Sequence, residues 1–194
     1  MTTVYYISHP DVIIDPHISI PQWDLSPLGR QKLEKLLTQP WLETIRSIYC
    51  SDEHKARSAA GRIAQQLGLG TQIVPELGEI DRSATGYLER AELEPVVEAF
   101  YAHPAQSIRG WERAIDAQQR TILAVSRIVS QTLPESPIAI VGHGGVGTLL
   151  LNYLKNVAIS RADAPPGQGY YYAFIWETRL LLHPWKAIDQ ADGM

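Results

Sequence analysis

The chain predicts an α/β fold, a three-layer α/β/α sandwich built on a mostly parallel sheet. Three observations carry that expectation. Short β-branched and aromatic runs stand at 4–7, 45–50 and 138–141. Between them lie segments whose apolar residues recur at helical spacing. Glycine, proline and N-cap residues punctuate the joins. With 194 residues, 45% hydrophobic and 20% charged, the sequence suits one domain over 1–194. A chain of this size buries roughly 70% of its unfolded surface, enough to fold without a metal or disulfide staple.

Taken in order, Val4-Tyr5-Tyr6-Ile7 reads as a first strand stopped by Ser8-His9-Pro10. Proline keeps His9 out of the helical region, so the histidine follows the strand in extended geometry. Residues 11–23 hold two prolines, just after Pro10, and no helical period, which predicts an irregular excursion. Ser26-Pro27 starts a helix, with serine as N-cap, proline at its first position and Leu33, Leu36 and Leu37 on one face. The second strand at 45–50 leads through Ser51-Asp52-Glu53 into a helix that Gly68 and Gly70 end. Gln72-Ile73-Val74 predicts a short third strand. Residues of about 76–108 are polar and weakly periodic, which predicts a cap or insertion over one end of the domain, helical near 93–100. A long helix is expected over 109–133, with Trp111, Ile115, Ile122, Val125 and Val129 at near-helical spacing. The apolar run 138–141 fits a central strand, followed by Gly142-His143-Gly144-Gly145 and a helix over 147–154. Residues 170–176 and 180–183 predict a terminal hairpin or two edge strands.

Composition excludes several function classes. One cysteine, Cys50, rules out an intrachain disulfide and a cysteine-built zinc or iron–sulfur site within one chain. A net charge of −4 argues against nucleic acid as a bulk partner. No apolar run approaches the roughly 18 residues of a spanning helix, and the N-terminus lacks a basic leader, so the expectation is a cytoplasmic protein with no membrane contact. The oligomeric state is not legible.

In such sheets ligands bind beyond the carboxyl ends of the strands. Two histidines, His9 and His143, each follow an apolar strand directly and would share a crevice if those strands are neighbours. Neither has a carboxylate or imidazole partner at helical ligand spacing, so no metal site is read. The run from Gly142 to Gly147 matches G-x-G-x-x-G, but it falls late in the chain and plants an imidazole inside the turn, against a dinucleotide site. Glycine there lets the backbone approach a smaller anion at a helix N-terminus.

Five segments, in order and spacing, resemble the histidine phosphatase superfamily, the phosphoglycerate-mutase-like proteins, over essentially the whole chain. Ser8-His9-Pro10 stands where that family has Arg-His-Gly. Leu25-Ser26-Pro27-Leu28-Gly29 resembles its Leu-Thr-x-x-Gly. Cys50-Ser51-Asp52-Glu53-His54-Lys55-Ala56 resembles Ser-Ser-Pro-Leu-x-Arg-Ala. Leu77-Gly78-Glu79 fits its Leu-x-Glu segment, and Val141-Gly142-His143-Gly144-Gly145 its Val-x-His-Gly-Gly turn. The departures fall on phosphate-gripping cations: serine replaces one arginine and lysine another.

The resemblance implies a phosphomonoesterase with no cofactor and no metal, acting on a small phosphorylated substrate. In it His9 attacks phosphorus, Glu79 protonates the leaving group and then activates water, and His143 stabilises the transferred group. Ser8, Lys55 and the Gly144 turn would bind phosphate, with Arg57, Arg82 or Arg109 replacing the missing guanidinium. Each has an ordinary structural alternative: Glu79 as a solvated loop carboxylate, Lys55 and Arg57 as helix surface, Arg82 and Arg109 as loop cations. Two other readings stay open: a catalytically weak relative that binds a phosphorylated ligand, and a mutase-type phosphotransferase.

Overall fold

The computed structural model describes residues 1–190. Six strands form one sheet: β1 (Thr3–Ser8), β2 (Ser47–Cys50), β3 (Thr71–Ile73), β4 (Ile138–Gly142), β5 (Tyr170–Ile175) and β6 (Leu180–Ala187). Their order is β3-β2-β4-β1-β5-β6. The four strands from β3 to β1 run parallel, and β5 and β6 add an antiparallel edge. The five helices are α1 (Pro27–Leu36), α2 (His54–Leu67), α3 (Arg90–Ala102), α4 (Ala114–Gln131) and α5 (Gly144–Leu154).

Strand alternation sorts the core into two layers. On β4, Ala139 and Val141 face one side and join Leu33 and Leu36 of α1 with Ala56, Ala59 and Ile63 of α2. Ile138 and Ile140 face the other, against Val125 and Ile128 of α4 and Leu150, Leu151 and Leu154 of α5. All five β4 residues are buried, as expected for a central parallel strand covered on both faces. Among the described residues no helix is long and apolar enough to cross a membrane.

A third cluster lies under the segment 76–108. Val96, Phe100 and Tyr101 of α3 pack with Trp111, Ala114 and Ala117 against Val146 and Leu149 of α5. Helix α3 spans more than the patch expected at 93–100: Val96, Phe100 and Tyr101 are buried on it, Leu93 and Val97 pack beside them, and polar residues alternate with these. The long helix begins at Ala114, not near 109. Arg109 and Gly110 take positive φ values of 52° and 82°, which turn the chain and drop Trp111 into the core ahead of the helix. Its indole N–H donates to Thr85 Oγ1 at 2.9 Å.

The excursion after His9 is irregular but closed at its base. Val12 bridges Leu25, and Ser26 N–H donates to the Asp11 carbonyl at 2.8 Å. Ser26 caps α1 by accepting the Gly29 N–H at 3.0 Å. At its tip Trp23 donates to the carbonyls of Asp15 and Ile18 and meets Tyr87, centroid to centroid, at 5.9 Å.

Candidate active site

The parallel pairing of β1 with β4 brings the two strand-end histidines together. Ser8 pairs with Gly142, so the next residues on each strand, His9 and His143, leave the sheet side by side. His9 N–H donates to the Gly142 carbonyl at 2.9 Å, and the two ring centroids stand 5.2 Å apart. Tyr6 supports the second turn from below: its hydroxyl donates to the His143 carbonyl at 3.0 Å and accepts the His143 N–H at 3.1 Å. That phenol lies where a Cβ on residue 142 would be, so the position requires glycine.

His9 Nδ1 lies 2.9 Å from the carbonyl oxygen of Pro10. An Nδ1–H donated there leaves Nε2 with the lone pair, the tautomer a nucleophile needs. Burial and the positive charge available to His143 push His9 down to about 3, against the pull of the Pro10 carbonyl. The ring is therefore neutral at pH 7.

His143 is fully buried, and its Nε2 lies 2.7 Å from Ser51 Oγ and 3.4 Å from Glu53 Oε1. Ser51 Oγ also faces the Glu53 N–H at 3.4 Å. An Nε2–H would donate to Ser51 and face the Glu53 carboxylate. With Ser51 donating to Nε2 instead, the ring proton sits on Nδ1, a buried atom with no partner among the described residues. Leaving such a donor unmatched costs about 1–3 kcal/mol, a cost an anionic ligand would relieve. Burial pushes His143 toward its neutral form, with Glu53 and Glu79 pulling the other way.

Glu79 occupies the N-terminus of α5. Its carboxylate accepts the Gly145 and Val146 N–H groups, each at 3.0 Å, and the Ile80 N–H at 3.0 Å. Burial acts to raise this carboxyl, but His143, Arg82 and the Ile80 N–H outweigh it and hold it below the usual range. This corrects the expectation for the glycine turn: the Gly145 amide is engaged by Glu79, because a carboxylate is the natural partner of helix N-terminal N–H groups. Gly144 alone of the pair lines the small pocket beside His9.

That pocket, about 170 Å³, is walled by Ser8, His9, Lys55, Glu79, Arg82 and Gly144, among others. Six of the nine sequence-derived candidates therefore meet there, and His143 lies against His9 behind them. Arg57 and Arg109 do not join them: both are exposed and line no cavity of the site. Arg57 points outward on α2, and Arg109 occupies the turn ahead of α4. Arg82 remains as the guanidinium at the pocket, its carbon 5.5 Å from the Trp111 ring centroid.

Ser8 does not face the pocket as a free hydroxyl. Its Oγ donates to the Tyr170 carbonyl at 3.1 Å and accepts the Tyr170 N–H at 3.0 Å, tying β1 to β5. Lys55 is 3% exposed, pairs with Glu53 Oε2, and donates to the Ile20 carbonyl at 2.9 Å. Glu53 was missing from the sequence-derived set. Its carboxylate touches Lys55 and His143 and accepts the Glu79 N–H at 2.7 Å. Burial would raise it, but His143, Lys55 and that N–H bring it down to about 2. Only its place two residues before Lys55 could have signalled it, and there it reads equally as a solvated acid at a helix start.

The family model of the histidine phosphatase superfamily, branch 1, matches residues 18–170, a span that begins after His9. The chain belongs to the histidine phosphatase superfamily. This superfamily member shares its fold with several solved structures. A mycobacterial glucosyl-3-phosphoglycerate phosphatase in complex with inorganic phosphate is 18% identical, with a TM-score of 0.78 over 97% of this chain and 99% of that one. A phosphoserine phosphatase of Entamoeba histolytica in complex with 3-phosphoglyceric acid is 16% identical, with a TM-score of 0.79 over 98% and 100%. YhfR of Bacillus stearothermophilus is 21% identical, with a TM-score of 0.77 over 95% of each chain. No curated protein matches the chain.

Proposed function

We propose that this superfamily member is a phosphomonoester phosphatase working through a phosphohistidine on His9. One observation carries the reading: a neutral imidazole, its Nδ1 held by the Pro10 carbonyl, stands 5.2 Å from a second buried imidazole whose Nδ1 has no protein partner. In the first step His9 Nε2 attacks phosphorus, the N–P bond forms, and the P–O bond breaks to release an alkoxide that takes its proton from solvent water. Charge on the transferred group meets the His143 Nδ1–H, Arg82 and the Lys55 ammonium. In the second step water attacks phosphorus, Glu79 takes its proton, and inorganic phosphate leaves His9. These protein groups supply the charge stabilisation without a metal.

The pairing of Lys55 with Glu53 and of Ser8 with Tyr170 favours a second reading, a catalytically weak relative that binds a phosphorylated ligand. It has fewer uncommitted cations than phosphoryl transfer ordinarily uses. A trapping experiment separates the two. Turnover of a radiolabelled aryl phosphate with EDTA present should leave acid-labile, base-stable label on the protein, absent from His9→Ala. Binding without any label on His9 would establish the weaker relative.

A further inference from the structure

A second cleft, about 740 Å³, opens beside the 170 Å³ pocket and shares Ile20, Glu79 and Arg82 with it. Its volume lies in the range of sites that enclose a drug-sized molecule. Position assigns it to the alcohol side of the ester, because a phosphoryl group beside His9 has its leaving group toward Glu79.

Much of the lining of this cleft is apolar. Ile18, Ile20 and Pro21 come from the excursion after β1, and Ile80 and Tyr87 from the segment that follows Glu79. Ile18 is 47% exposed, an apolar residue left facing open space at the mouth. The two wall segments meet where Trp23 contacts Tyr87.

The charged residues of the lining carry the decision. Asp52 and Asp81 both line the cleft, and no cation forms an ion pair with either among the described residues. Arg120 also borders it but has its donors engaged. They go to both Glu112 oxygens at 2.7 and 2.8 Å and to the carbonyls of Glu76, Gly78 and Glu79 at 2.7, 2.8 and 3.0 Å. Arg82 sits at the junction of the two cavities, and the phosphoryl group itself would claim it. Apart from the exposed His17, a second anion on the substrate would therefore meet carboxylates, with no guanidinium left to receive it.

We infer that the substrate is a phosphomonoester of a bulky, largely apolar alcohol bearing no second anionic group. This rests on the phosphomonoester reading above and goes beyond it to the leaving group. It separates this chain from relatives solved with 3-phosphoglyceric acid or phosphoserine, whose ligands carry a carboxylate beside the phosphate.

Phosphonates test it on the wild-type chain, because their P–C bond survives the enzyme. Dissociation constants are measured for methylphosphonate, 3-phosphonopropionate and 1-naphthylmethylphosphonate. The naphthyl compound is expected to bind about 10-fold or more tightly than methylphosphonate, and 3-phosphonopropionate no more tightly than methylphosphonate. In the Asp52→Asn/Asp81→Asn double variant, 3-phosphonopropionate should gain several-fold relative to methylphosphonate. If methylphosphonate binds but the naphthyl group adds nothing, or if the carboxylate compound binds best, the inference is overturned while the phosphatase reading stands. If none of the three binds at millimolar concentration, the phosphate pocket itself fails and both readings fall.

Discussion

Glu79 meets three backbone N–H groups at once, and that bonding decides which half of the reaction it suits. A carboxylate held ionised by the Gly145, Val146 and Ile80 amides is ready to take a proton from water. It is poorly disposed to give one to a departing alkoxide. Leaving groups that depart without protonation should therefore react faster, with phenyl phosphate exceeding simple alkyl phosphates by about 10²-fold in kcat/KM. Glu79→Gln should slow the second step most, so that phosphohistidine accumulates during turnover of the phenyl ester; quenched-flow with acid–base stability of the label checks both. Equal rates for the two ester classes would contradict this account.

His9 carries a second, independent consequence at the same scale. Its folded pKa of about 3 lies below the ordinary 6.5, so the unfolded chain takes up a proton first as pH falls. Stability thus rises with pH across that window, and neutral His9 destabilises nothing above it. His9→Gln removes this proton uptake. Between pH 7.5 and 5 the wild type should lose roughly 4–8 °C more in Tm than the variant, measured by scanning calorimetry. Glu53 acts lower on the scale: its depressed carboxyl stabilises the fold above pH 4.5 and loses that contribution as pH falls toward about 2.

Among the elements, the start of α5 does the most for the site. His143 takes the extended N-cap position at φ −133° and ψ 161°, and the following amides reach Glu79. A Cβ on Gly145 would stand 2.5 Å from Glu79 Oε1 and 2.7 Å from Ile80 Cδ1. Gly145→Ala should therefore displace the carboxylate while the helix, buried along most of its length, holds. The expected result is a loss of about 10²-fold in kcat/KM with a stability change of about 1 kcal/mol, read by steady-state kinetics and urea unfolding. Sequence periodicity could find this helix and its glycine turn. It could not show that the amides serve a glutamate 66 residues earlier in the chain. The start of α4 was misplaced for a related reason: Trp111 has helical spacing with Ile115, but the positive φ at Arg109 is a conformation that spacing does not encode.

At the scale of the whole molecule, the strands and their mostly parallel class were legible, but not their order. Apolar runs ending in histidine announced β1 and β4, and their pairing places His9 beside His143. Long-range polar partners were not legible, because pairing between Ser8 and Tyr170, or Glu53 and His143, leaves no periodic trace. Of the candidate replacement cations, Arg57 is two residues from Lys55 yet faces solvent, while Arg82, three residues after Glu79, borders the pocket.

The Ser8 stitch to Tyr170 commits position 8 to the sheet. The motif the strand end resembles has arginine at that position, yet here the side chain joins the backbones of β1 and β5, and a guanidinium could not make that same pair of bonds. Restoring arginine would cut the join before it helped any ligand, and Glu53 would already hold the neighbouring ammonium. An arginine at position 8 alone is therefore expected to cost stability by opening the β1–β5 join.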